Sequence, residues 1–158
     1  MSTLKLARVH WYVGQTLLPE HLVAQEESIA AMLQRRLGAT GLASYGLIAL
    51  SVSAPLLREG VFGVIELSAV LSDGTIVDVP ATCLVAPLSL NGTGASRVNV
   101  YFHLLTESVF GNDNSVYQAD PQGVERVQLR AQLSAVDVLD ATRGLIKLAE
   151  AEKGVDGT

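Results

Sequence analysis

The chain has 158 residues, a net charge of −5 and 11 Lys and Arg residues. That length is one domain's worth and buries roughly two-thirds of its unfolded surface. With no basic patch in an acidic chain, nucleic acid is an unsuitable partner. One cysteine, Cys83, rules out an intrachain disulfide framework and fits a reducing compartment. No N-terminal apolar signal core and no run of 18 apolar residues occur, so the expected protein is neither exported by a signal peptide nor inserted in a membrane. Apolar residues make up 49% and charged residues 17%. Either a well-filled core or a surface meant for a partner chain accounts for that balance.

In chain order, Val9 to Val13 reads as a short strand that Gly14 ends. Pro19 then marks a helix start, because the first turn's N–H groups have no partner inside the helix. Glu20, Glu26 and Glu27 near the start and Arg35 and Arg36 near the end complement the helix dipole. Leu18, Leu22, Ile29, Met32, Leu33 and Leu37 form one apolar stripe, which predicts a helix over Pro19 to Leu37 lying on a core. Gly38 is the expected left-handed cap.

Tyr45 to Val52 is an apolar strand ended by Pro55, and Val61 to Leu71 reads as one long strand. In the latter, Val61, Ile65, Leu67, Ala69 and Leu71 share one face, and Phe62, Glu66 and Ser68 the other. Ser72 to Thr75 is a tight turn, with Gly74 supplying positive φ and Asp73 bonding its own backbone. Ile76 to Val79 returns as the hairpin partner, and Pro80 closes it. Ala81 to Leu90 is mixed, and Asn91 to Gly94 is a loop.

Arg97 to Leu105 alternates, with Val98, Val100, Phe102 and Leu104 inward and Arg97, Asn99, Tyr101 and His103 outward. Gly111 to Asp120 is a polar loop. Val127, Leu129, Ala131 and Leu133 alternate with polar neighbours as a strand with one wet face. Leu145 to Ala149 reads as helix by propensity or as a short strand before a Gly154–Gly157 turn. A turn without a returning strand suggests a truncated chain, and the whole of 1–158 reads as a single domain. Strands at short spacing predict an antiparallel sandwich or barrel, for which the helix and its lead-in loop are the expected packing base.

No convergent catalytic set appears. His10, His21 and His103 lack metal-ligand spacing, and Cys83 sits among apolar residues as a small hydrophobe. Asp137 and Asp140 read as solvated strand-end carboxylates. No phosphate-cradling glycine motif occurs. No catalytic residue, cofactor or metal is therefore expected. A small-ligand-binding or hydrolytic β-barrel, with a pocket near Tyr101 and His103, is the alternative. Trp11 beside Tyr12 is a large apolar payload ahead of a leucine-rich turn. It reads as a core anchor, or as a hot spot at an interface where such residues are enriched.

Val9, Trp11, Gly14, Leu17, Leu18, Pro19, His21 and Gln25 together resemble the opening of the N-terminal domain of TssK, the type VI secretion baseplate subunit. Arg35-Arg36-Leu37, Tyr45-Gly46-Leu47, Leu71 to Thr75 and Asp78-Val79-Pro80 are similar to that family too, while Leu22 stands where it favours an aromatic residue. The resemblance implies a mainly β fold: an antiparallel sandwich like the shoulder of phage receptor-binding proteins, with one long N-terminal α-helix. It also implies a non-enzymatic structural adaptor in the bacterial cytoplasm, trimeric in its full-length form. Its partners would be the wedge proteins TssF and TssG, and absent C-terminal parts would link toward the membrane complex. It favours strand for Leu145 to Ala149. The interface candidates are Trp11, Tyr12, Leu17, Leu18, Pro19 and His21.

Overall fold

The computed structural model describes residues 4–92, 94–111 and 125–152. The chain forms two compact units, 1–44 and 45–158.

The first unit is an irregular lead-in segment followed by α1, Pro19–Ala39. Pro19 starts the helix as the spacing predicts, after Leu18 in an extended conformation. The end differs from the expectation. Gly38 stays inside the helix, Thr40 caps it with right-handed backbone, and the positive φ of 72° falls at Gly41. The Thr40 hydroxyl donates to the Leu37 carbonyl at 2.7 Å, so an end carbonyl is satisfied without a glycine cap. Val9 to Val13 is not a strand, because no segment among the described residues pairs with it in a ladder. A turn at Val13 and Gly14 takes its place, with Gly14 at φ 83° and the Gln15 N–H donating to the Tyr12 carbonyl at 3.2 Å.

The stripe expected to lie on a core is exposed. Leu22, Ile29 and Leu33 keep 45–55% of their surface, and the buried helix positions are Ser28 and Ala31. The buried line is thus made of small residues, and the large apolar ones stay accessible.

The second unit is the sandwich. One sheet holds β1 (Gly46–Val52), β3 (Val64–Val70) and β4 (Ile76–Val79) in the order β1-β3-β4. The other holds β5 (Cys83–Leu84), β7 (Arg97–Gly111), β8 (Arg126–Ser134) and β9 (Thr142–Glu152) in the order β5-β8-β7-β9. A two-stranded ribbon joins β2 (Val61–Phe62) to β6 (Leu88–Ser89). Pairing is antiparallel throughout, apart from the short parallel contact of β5 with β8. A short helix, α2 (Ala54–Arg58), follows β1; Pro55, expected to end the strand, sits in its first turn.

Leu67, Ala69, Val77 and Val79 from the first sheet meet Val100, Phe102, Leu104, Leu133 and Leu148 from the second. This core is built from residues of the second unit. A Cβ on Gly144 would lie 2.6 Å from Leu71 Cδ1, which shows how closely the sheets approach there.

Several strand expectations change for local reasons. Val61 to Leu71 is two strands in different sheets, broken at Gly63. Phe62 is buried on its own short strand, and Ile65 is 58% exposed although Leu67 and Ala69 on its expected face are buried, because the register with β1 passes from Ser51–Glu66 to Val52–Val64 and skips it. A Cβ on Gly63 would lie 2.6 Å from Leu56, so the glycine is where α2 crosses close to the strand. The Ser72–Thr75 turn forms as read, with Asp73 Oδ1 accepting from the Thr75 N–H at 2.8 Å and Gly74 at φ 86°. β8 keeps Leu133 buried but leaves Val127 57% exposed at its outer end. β9 is strand along its whole length, although Ala149 to Glu152 favours helix; pairing with β7 overrides propensity. Of the expected loop over Gly111 to Asp120, Gly111 ends β7 and residues 112–120 lie outside the described residues, as does the Gly154–Gly157 turn.

Candidate interaction site

The six interface candidates sit on the lead-in segment and the first turn of α1. Leu18 cannot cap the helix with its own side chain, so the helix recruits another group. His21, three positions on, turns back and accepts the Leu18 N–H on Nδ1 at 3.2 Å. Glu or Gln usually fills that reciprocal role. Accepting on Nδ1 places the proton of a neutral ring on Nε2, and the Gln15 amide nitrogen 3.2 Å away is also a donor, so the two side chains touch there without a hydrogen bond. Gln15 Oε1 in turn takes the Tyr12 N–H at 3.3 Å. The Trp11 ring meets His21 edge-on at a centroid distance of 5.8 Å, and His10 stacks on Tyr12 at 6.1 Å. Lys5 pairs with Glu27 at 2.9 Å across the same unit.

These bonds fix the loop backbone while leaving its large side chains outside. Trp11 is 44% exposed, and Tyr12, Leu17 and Leu18 are also exposed. Trp11 is therefore half clamp and half free surface. Pro19 sets the angle at which the segment enters the helix. Two residues of the arrangement were not singled out from the sequence. Gln15 accepts the Tyr12 N–H and lies against His21, and Val13 at the turn is fully exposed. The Leu-Leu-Pro-Glu-His spacing carried the signal for His21; nothing in the sequence distinguished Gln15.

Among the described residues, His103 does not open onto a pocket beside Tyr101. His103 was expected on the wet face, yet it is fully buried, because the connection from Ser134 to Thr142 reaches over it. Its Nε2 lies 2.9 Å from the Val136 carbonyl and 2.7 Å from Ser134 Oγ. The carbonyl can only accept, so Nε2 carries the proton. A protonated Nε2 cannot take a proton from Ser134, whose hydroxyl also points to the Val136 carbonyl at 2.6 Å. The cluster is a satisfied polar joint between β7, β8 and β9.

A groove of about 900 Å³ does open elsewhere in the second unit, floored by Val52, Phe62, Leu90 and Val98. Its rim carboxylates Glu150 and Glu152 are held by Arg97 at 3.6 and 3.3 Å. Cys83 is buried, and desolvation, with Asp78 adding repulsion, pushes its thiol up to about 12. Among the described residues no cluster of three or more His, Cys, Asp or Glu could hold a metal ion, and no helix is long and apolar enough to cross a membrane.

The fold and its surface thus define a class: a β-sandwich unit accompanied by a helical unit that displays a rigid apolar loop. Residues 21–152 match the sequence profile of the family described as "Bacterial Type VI secretion, VC_A0110, EvfL, ImpJ, VasE", and the chain belongs to that family. Among solved structures, the TssK-TssF-TssG baseplate subcomplex seen by cryo-electron microscopy includes a chain similar to this one at TM-score 0.74 and 17% identity, covering 96% of this chain and 58% of that one. The baseplate complex from the type VI secretion system gives 0.72 and 19%, with 96% and 56% covered. A crystal structure of TssK gives 0.65 and 21%, with 97% and 40% covered. The chain therefore spans between 40% and 58% of these three chains, and at such identities the likeness establishes the fold. A search of curated proteins found no match.

Proposed function

We propose that this chain is a structural adaptor of the type VI secretion baseplate that attaches to a wedge made of TssF and TssG. The observation that carries the reading is the loop of Trp11, Tyr12, Leu17, Leu18, Pro19 and His21. It holds large apolar side chains outward on a backbone whose Tyr12 and Leu18 N–H groups are held by Gln15 and His21. A preformed apolar anchor loses little conformational entropy on docking, and Trp and Tyr are the residues that most often dominate binding energy. Family membership and the likeness to TssK chains, in structures whose names include TssF and TssG, support the choice of partner. On this reading the full-length protein is a cytoplasmic homotrimer, and parts beyond this domain link the wedge toward the membrane complex. The role needs no catalysis and no cofactor.

The test is capture of the chain by purified TssF–TssG wedge, with Trp11→Ala and Leu18→Ala variants checked for folding by circular dichroism. Each substitution is expected to weaken capture roughly 30-fold, the scale of a hot-spot truncation. Undiminished capture of folded variants would refute the contact assignment.

A further inference from the structure

Gln15 holds both backbone groups of Tyr12. Its N–H donates to the Tyr12 carbonyl at 3.2 Å, and its side-chain Oε1 accepts the Tyr12 N–H at 3.3 Å. Its amide nitrogen lies 3.2 Å from His21 Nε2, while His21 Nδ1 accepts the Leu18 N–H at 3.2 Å. Three donors therefore converge here: the Tyr12 N–H, the Leu18 N–H and the single N–H of a neutral His21 ring. Only two acceptors meet them, Gln15 Oε1 and the one lone pair in the ring. As placed, the ring N–H is the donor without an acceptor among the described residues. Turning the Gln15 amide over gives Oε1 to the ring N–H and sets the amide nitrogen against the Tyr12 N–H instead. Moving the ring proton to Nδ1 sets it against the Leu18 N–H. No placement serves all three donors.

The two amide orientations make the same number of bonds, so neither is strongly favoured, and they differ in whether the Tyr12 N–H is held. We infer that Gln15 is the positioning residue of the lead-in loop, and that its amide alternates between holding the Tyr12 N–H and holding the His21 ring N–H. Glutamine brings one acceptor oxygen where two are wanted. A carboxylate of the same length brings two, and takes the Tyr12 N–H and the His21 Nε2–H together. It also keeps the ring proton on Nε2, which leaves Nδ1 open for the Leu18 N–H. The helix start is bonded in both orientations, so the exchange is confined to Tyr12. Release of Tyr12 for part of the time lowers the apparent affinity of any contact that needs it held, in proportion to that time. That consequence for docking rests on the wedge reading, whereas the two-state amide is a property of the N-terminal unit by itself.

The experiment is NMR of the full 158-residue chain at about pH 8, where a histidine ring is neutral, in wild-type, Gln15→Glu and Gln15→Met forms. Gln15→Glu should slow exchange of the Tyr12 amide about tenfold. Gln15→Met, which offers no oxygen, should speed it about twofold. The Leu18 amide should keep its rate to within about twofold in all three forms, because His21 serves it in each. Ring nitrogen shifts should report the His21 proton on Nε2 throughout. Capture by purified TssF–TssG wedge should strengthen about twofold with Gln15→Glu, the gain from removing the released state. A Tyr12 amide that exchanges equally fast in the wild type and Gln15→Glu, a Leu18 amide that speeds up in Gln15→Met, or a ring proton on Nδ1 would each overturn the inference. Slower Tyr12 exchange with unchanged capture would support the inference about Gln15 and count against the wedge contact at this loop.

Discussion

The two units treat their large apolar residues in opposite ways. In the sandwich, Leu67, Val77, Val100, Phe102 and Leu104 are fully buried between facing sheets. In the N-terminal unit, Trp11, Leu18, Leu22, Ile29 and Leu33 are 44–55% exposed, and burial falls on Ser28 and Ala31. Stability therefore resides mainly in the first set, and surface available for association resides in the second. Substitutions in the two sets should separate accordingly.

The largest effect belongs to the core. Phe102→Ala in β7 should cost about 3–5 kcal/mol in a denaturant titration, because the sheets on either side cannot collapse onto the space. Next comes the buried joint. His103→Ala leaves Ser134 and the Val136 carbonyl without their ring partner and should cost about 1–3 kcal/mol. His21→Ala removes the acceptor for the Leu18 N–H, and about 1 kcal/mol of helix-end stability should go with it. Leu33→Ala, on the open face of α1, should stay within about 0.5 kcal/mol in dilute solution, which is the sharpest contrast with Phe102.

Cys83 gives a check of a different kind. With its thiol pushed up to about 12, it should resist alkylation at pH 8 in the native protein and react once the chain is unfolded. The unfolded thiol ionises near 9 and the folded one does not. Between those values the unfolded state binds fewer protons, so this residue's contribution to stability falls as pH rises from about 9 toward 12.

Much of the sandwich was legible because alternation reports burial directly. Val98, Val100, Phe102 and Leu104 face the core as their spacing requires, and Asp73-Gly74 makes its turn unaided. The misreadings came where a distant segment decides the outcome. Gly63 breaks a continuous apolar run because Leu56 needs the space, and His103 is covered by a connection more than thirty positions away in sequence. β9 becomes strand against its own propensity because β7 offers a ladder. The helix itself was legible from Pro19 and the spacing that follows, whereas the positions it buries, Ser28 and Ala31, were not the apolar stripe. At the lead-in loop, the proline and histidine spacing announced the helix start, whereas Gln15 came to accept the Tyr12 N–H only through the turn at Gly14.

Hydrogen exchange of the chain with and without purified TssF–TssG wedge tests the central claim most directly. The account predicts new protection over residues 9–22, around Trp11 and Leu18, with the amides of β3, β4 and β7 unchanged. Stable wedge binding with protection confined to the sandwich, and none in the loop, would contradict it.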